Sequence, residues 1–150
     1  MVNAVPARWQ LFVDGASRNN PGEAGAGIYL RKNDQSIVKQ GFYLGIKSNN
    51  QAEYLALLLG LHVAERHMNP GELLIISSDS QLLVKQILGE YSVKHPELKI
   101  LMGLVQQKLQ HLNYAIRHVL RNENAIADHY ANMGIDKRLP VPQEFLFLIT

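Results

Sequence analysis

Four acidic residues sit where the chain ends an apolar run or enters a helix, each among apolar or small neighbours. They are Asp14 in Leu11-Phe12-Val13-Asp14-Gly15, Glu53 in Asn49-Asn50-Gln51-Ala52-Glu53-Tyr54, Asp79 in Ile75-Ile76-Ser77-Ser78-Asp79-Ser80, and Asp128 in Asn124-Ala125-Ile126-Ala127-Asp128. Gathered by a fold, four carboxylates repel one another unless a hard divalent cation neutralises them. A Mg²⁺-type centre of this kind has one common use, hydrolysis or transfer at a phosphate.

The surrounding patterns give the elements that must position these groups. Arg8 to Asp14 alternates as a strand, with Trp9, Leu11 and Val13 on one face and Phe12 on the other. Ala16 to Gly25 is rich in Gly, Pro and Asn and reads as a loop. Two more strands, Ala26 to Arg31 and Ser36 to Leu44, flank the polar turn Lys32-Asn33-Asp34-Gln35, a hairpin signal. Gln51 to Met68 carries Leu55, Leu58, Leu59, His62 and Val63 at helical spacing, and Asn69-Pro70-Gly71 stops it. Leu73 to Ser77 is apolar enough for a strand buried on both faces. Ser80 to Leu88 and Glu97 to Leu112 read as helices, Tyr114 to Leu120 as an alternating strand and Asn124 to Gly134 as a last helix. The order β-β-β-α-β-α-α-β-α is satisfied by a mixed sheet with helices on its faces.

Composition narrows the class. The 150 residues are 47% hydrophobic, enough for a single-domain core. No stretch approaches the roughly 18 apolar residues of a membrane span, and Met1 to Arg8 lacks the apolar core of a secretory signal. There is no cysteine, which excludes disulfides, thiolate metal sites and thiol nucleophiles and favours a cytoplasmic location. The net charge of +2 is a mild basic bias, and the surface is more basic than that total if four acids are gathered around metal.

Each acid also has a bland reading. Asp14-Gly15 suits a turn, Asn50 to Glu53 a capping box, Asp79 an N-cap, and Asp128 a complement to the helix dipole. These readings leave unexplained why three of the five aspartates fall at such junctions. Asp14 and Asp79 moreover end apolar strands, where α/β folds place their ligand sites.

The motifs in series resemble type 1 ribonuclease H. They are Asp14-Gly15-Ala16-Ser17 with Asn20-Pro21-Gly22 and Gly25-Ala26-Gly27, then Ser48-Asn49-Asn50-Gln51-Ala52-Glu53, then Ser78-Asp79-Ser80-Gln81-Leu82-Leu83-Val84, and finally Val119 to Asn132 with Arg121, Asn124, Ala127 and Asp128. The resemblance covers about residues 8 to 134 of a single domain spanning 1–150. It implies an α/β ribonuclease H-like fold, a five-stranded mixed sheet flanked by helices. It further implies endonucleolytic cleavage of the RNA strand of an RNA–DNA hybrid, leaving 5′-phosphate and 3′-hydroxyl ends. In the family's two-metal scheme Asp14 would bridge two Mg²⁺ ions, Mn²⁺ being a possible substitute. Glu53 and Asp79 would complete one ligand set and Asp128 the other. One ion helps form the attacking hydroxide, and its partner stabilises the leaving 3′ oxygen. A hybrid-binding module without cleavage, or another metal nuclease of the same superfamily, is the alternative.

Telling RNA from DNA requires groups at the 2′-hydroxyl. Ser17, Asn20, Asn50 and Gln81 match polar positions that line the minor groove in the family, with loop residues or helix caps as the alternative. Gly15 and Gly22 would let backbone approach the nucleic acid, or serve tight turns. Lys47, Arg18, Lys85 and Lys94 lie near the motifs as candidates for phosphate contact, with a solvated surface as the favoured alternative for each, and Arg121 is a candidate for the scissile phosphate. Two features common in the family are missing. Gly89-Glu90-Tyr91-Ser92-Val93-Lys94 replaces a Lys- and Trp-rich helical handle, and Arg121-Asn122-Glu123-Asn124 replaces a flexible histidine-bearing loop. His118 is either a packed or a surface imidazole, so no proton shuttle is assigned. Compact members without the handle are the nearest in pattern. The segment from 135 to 150 ends in the apolar run Phe145-Leu146-Phe147-Leu148-Ile149, expected to dock on the body of a monomer, with dimerisation through it as the alternative.

Overall fold

The computed structural model describes residues 7–150, so most of Met1 to Arg8, the segment expected to lack a secretory signal, lies outside the described residues. Strands β1 (Arg8–Ser17), β2 (Gly22–Lys32) and β3 (Gln35–Lys47) form an antiparallel meander. Helix α1 (Asn49–His67) crosses to β4 (Leu73–Ser78), which pairs parallel to β1. Helices α2 (Gln81–Ile87) and α3 (Pro96–Leu109) lead to β5 (Asn113–His118), parallel to β4. A 3₁₀ turn at Arg121–Asn124 opens α4 (Ala125–Asp136), and a second lies at Gln143–Leu148. The result is the expected five-stranded mixed sheet, in the order β3-β2-β1-β4-β5, flanked by helices. Among the described residues no helix is long and apolar enough to cross a membrane.

The two faces differ. Trp9, Leu11 and Val13 point to the α1 side, where the leucines of that helix bury them completely or nearly so. Leu11 and Val13 meet α1 at Gly60. Helix α4 covers the opposite face above β2 and β3, and its backbone comes so close that a Cβ on Gly27 would stand 1.8 Å from the Ala127 carbonyl oxygen. The β2–β3 hairpin turns at Asn33 and Asp34, which hold left-handed φ values of 48° and 68°. Two such residues match the right-handed twist of the strands they join.

Three expectations need correction. Ala16 to Gly25 is a loop only over residues 18–21: β1 and β2 take up the rest, with Ala16 opposite Gly25 and Ser17 opposite Ala24. Its glycines signal close helix packing as well as turning, since a Cβ on Gly25 would meet the Ala131 carbonyl oxygen at 2.2 Å. Strand β4 is not buried on both faces. Leu73 and Ile75 are only half-buried because they lie on the face that α4 covers just in part. The helix starts are shifted too. Ser48 caps α1 in a capping box with Gln51, and the Ser80 hydroxyl caps α2 by accepting from the Leu83 N–H.

Candidate metal centre

Those two serine caps decide what Glu53 and Asp79 are free to do. Gln51, not Glu53, returns to the cap of α1, its Oε1 accepting from the Ser48 N–H at 2.9 Å. Glu53 instead lies one turn into the helix and reaches β1, where it accepts from the Gly15 N–H at 2.6 Å. Asp79 sits between the end of β4 and Ser80, which has taken the cap. Asp14 is not in a turn, because its strand continues three residues beyond it, paired with β2. Three local explanations for these acids therefore fail. For Asp128, in the first turn of α4, the dipole reading stands beside the functional one.

Carboxylate oxygens of Asp14, Glu53 and Asp79 lie within 4.8 Å of one another. Asp128 is outside that triad but within hydrogen-bonding reach of Asp14. All four line one open cleft of about 600 Å³, together with Gly15, Ser17, Asn49, Arg121 and Asn122. Burial first, then the charges of Glu53 and Asp79 and the contact with Asp128, push the Asp14 carboxyl up to about 10. Glu53 is raised to about 8, again chiefly by burial, with the Gly15 N–H and the Arg121 charge pulling the other way. Without a cation, such a cluster is held together by protons. Its donors are all hard oxygens, clustered closely enough to share an ion, so the residues fit a divalent cation of the Mg²⁺ class.

Gly15 is also required for packing within the chain. A Cβ on it would lie 2.2 Å from the Ala52 carbonyl carbon, so its bareness lets the start of α1 reach β1 and deliver Glu53. A Cβ on Gly22 would crowd Asn19 of the preceding turn. The Ser17 hydroxyl lines the cleft and donates to the Lys47 carbonyl at 2.8 Å. Asn20 Oδ1 accepts from the Asn49 N–H at 3.0 Å, tying the β1–β2 turn to the start of α1. Asn50 and Gln81 are exposed and lie outside the residues that line the cleft, whereas Asn49 lines it. Arg121 lines it as well, near enough for its charge to act on Glu53. His118 is exposed at the rim, its Nε2 3.2 Å from the Asp79 carbonyl oxygen.

Asn124 of the last motif has a positioning role that residue type alone does not reveal. Asn124 is buried and its Nδ2 donates to the Val13 carbonyl at 2.8 Å, which pins the start of α4 to β1 beside Asp14. Its spacing four residues before Asp128 was the available signal. Asn122 lines the cleft but nothing in its sequence context distinguishes it.

A family model described as reverse transcriptase-like matches residues 12–134. Ribonuclease HI of Halobacterium salinarum is 37% identical over 132 residues, 86% of this chain and 65% of the relative. The chain spans 35% of the length of mycobacterial relatives that are 38% identical to it. The crystal structure of RNase H1 from H. salinarum is similar at a TM-score of 0.82 and 34% identity, covering 87% of this chain and 98% of that one. That of LC11-RNase H1 in complex with an RNA/DNA hybrid is similar at 0.83 and 30%, with the same coverage, 87% and 98%.

Proposed function

Because the chain belongs to the type 1 ribonuclease H family, we propose that it hydrolyses the RNA strand of RNA–DNA hybrids endonucleolytically, leaving 5′-phosphate and 3′-hydroxyl ends. The observation that carries this reading is the close triad of Asp14, Glu53 and Asp79, with Asp128 against Asp14, in an open cleft.

Asp14, Glu53, Asp79 and Asp128 are the residues that would hold Mg²⁺, as two ions, or Mn²⁺ in its place. Such ions, when bound, activate water and stabilise charge on the oxygens of an in-line phosphodiester displacement. The chain's own contribution is placement. Strand β1 presents Asp14 from the middle of the sheet, and the Gly15 N–H fixes the Glu53 carboxylate against it. Asn124 fixes the start of the helix that carries Asp128. Arg121 brings a permanent positive charge to the same cleft, suited to a backbone phosphate. Ser17, Asn20 and Asn49 around the cleft rim, and Asn50 and Gln81 further out, supply donors and acceptors for the ribose 2′-hydroxyl.

The test is digestion of an end-labelled hybrid, with duplex DNA as control, by wild type and Asp14→Asn in Mg²⁺ or Mn²⁺. We expect hybrid-specific cleavage that falls by at least about 10²-fold in the variant, since several kcal/mol of charge stabilisation depend on the site. A hybrid left intact by the wild type in both metals would refute the enzyme reading.

A further inference from the structure

Five side chains in register cross the sheet as one transverse row: Lys39 beside Tyr29, Tyr29 beside Phe12, Phe12 beside Ser77, and Ser77 beside Arg117. Register partners point to the same face, here the one opposite α1. Helix α4 occupies that face over Gly25, Gly27 and Gly41. Below it Lys39 and Arg117 are exposed, and Phe12 and Tyr29 are half-exposed. The two rings stack with centroids 5.8 Å apart and planes 29° from parallel. Lys39 Nζ and the Arg31 guanidinium lie over the Tyr29 ring, 5.6 and 5.9 Å from its centroid.

A second cleft, of about 330 Å³, lies between this aromatic pair and the start of α4. Asn122 and Ala125 line both this cleft and the one holding the carboxylates, so the two adjoin. Arg31 and Asn124 also line it. Arg31 Nε and Asn124 Oδ1 are buried with no hydrogen-bond partner among the described residues. Acidic groups nearby are already engaged: Asp34 pairs with Arg31 at 3.9 Å, and Glu123 accepts from the Leu120 N–H. Ser77 itself is buried and its hydroxyl accepts from Arg117 Nε at 2.9 Å, which fixes that guanidinium at the end of the row. An open antiparallel face is often merely solvated. A row of cation, two aromatics and cation that opens beside the carboxylate cleft is more specific than a solvated face. It matches the alternation of bases and phosphates along an unpaired strand.

We propose that this face binds single-stranded RNA, as the unpaired continuation of the strand held at the four carboxylates. Bases stack on Phe12 and Tyr29, while Lys39, Arg31 and Arg117 meet phosphates. The row spans four strand spacings, about 19 Å, room for a short run of nucleotides. RNA rather than DNA is assigned because the cleft adjoins the site where the strand to be cut would lie, and in this respect the inference rests on the proposed function.

The experiment is fluorescence anisotropy of a labelled single-stranded oligoadenylate, with every protein in the Asp14→Asn background so that the probe stays intact. Tyr29→Ala and Lys39→Glu are expected each to weaken binding about tenfold, the loss typical of one stacking platform or one well-placed phosphate contact. Tyr29→Phe, which keeps the ring, should bind like the parent and reports on folding. Lys99→Glu, the same charge change on exposed α3, should shift affinity less than about twofold. Affinity indifferent to both Tyr29→Ala and Lys39→Glu would overturn the surface, and equal affinity for the deoxy oligonucleotide would overturn its assignment to RNA. If the wild type fails to cut hybrids while oligoadenylate binding still depends on Tyr29 and Lys39, the proposed function falls and the binding face stands. If hybrids are cut and binding ignores both residues, the face falls alone.

Discussion

At the scale of single residues, Asp14 and Glu53 carry the largest electrostatic cost in the molecule. Their carboxyls are shifted from ordinary values of 3.8 and 4.5 to about 10 and 8. An acid whose pKa is raised by folding binds more protons folded than unfolded between the two values, so stability falls as pH rises through that window. In a chelator, the melting temperature of Asp14→Asn should therefore match wild type near pH 4 and exceed it increasingly toward pH 9. A difference that stays constant with pH would contradict this account of the cluster. Excess Mg²⁺ should reverse the order at neutral pH, because the ion stabilises only the form that binds it. The sequence made these acids conspicuous, but it could not show which neighbour would cap each helix. Ser48 and Ser80, adjacent polar residues of equal capping aptitude, took the caps and left Glu53 and Asp79 for the site.

Glycines set the distances between elements. Gly15 lets α1 touch β1, and Gly27 lets α4 lie almost on the backbone of β2. Gly27→Ala puts a methyl where the Ala127 carbonyl stands, so α4 must lift; a loss of about 3 kcal/mol in urea unfolding is expected, at the upper end of overpacking costs. Activity should fall with it, because Asp128 rides on that helix. Gly103 in α3 is the internal contrast. A Cβ there meets nothing within 4 Å, and Gly103→Ala should stabilise by about 0.5–1 kcal/mol through helix propensity. Element order and type were readable from hydrophobic period. The long β1–β2 hairpin was not, since Gly, Asn and Pro signal a turn in sequence whether they turn the chain or make room for a helix.

For the molecule as a whole, the C-terminal segment is the piece whose contribution is most open to measurement. Phe145 is buried, with its ring edge-on to His62 at 4.9 Å, and Val141 joins the same core cluster. Phe145→Ala should cost about 3 kcal/mol, as large-to-small core changes do, and deleting Phe145 to Thr150 should lower the melting temperature further. Leu146 and Phe147 remain exposed. Light scattering of the full chain and of Phe147→Ser would separate a monomer from a dimer joined at that patch, and we expect a monomer in both. The connection from α2 to α3 is only Leu88 to His95, too short to hold a helical handle.

The sequence by itself determined the alternation of elements, the four acids and their order along the chain, because period and residue type are local properties. Tertiary structure decided three things no local pattern encodes. It brought Asp14, Glu53 and Asp79 within one ion's reach, with Asp128 beside them, because strand order and helix approach depend on which small residues meet across the sheet. It placed Asn49 rather than Asn50 in the cleft, because a helix turns 100° per residue and its cap sets the phase. It also aligned Lys39, Tyr29, Phe12, Ser77 and Arg117 in one row, because register joins residues up to about a hundred positions apart that share no motif.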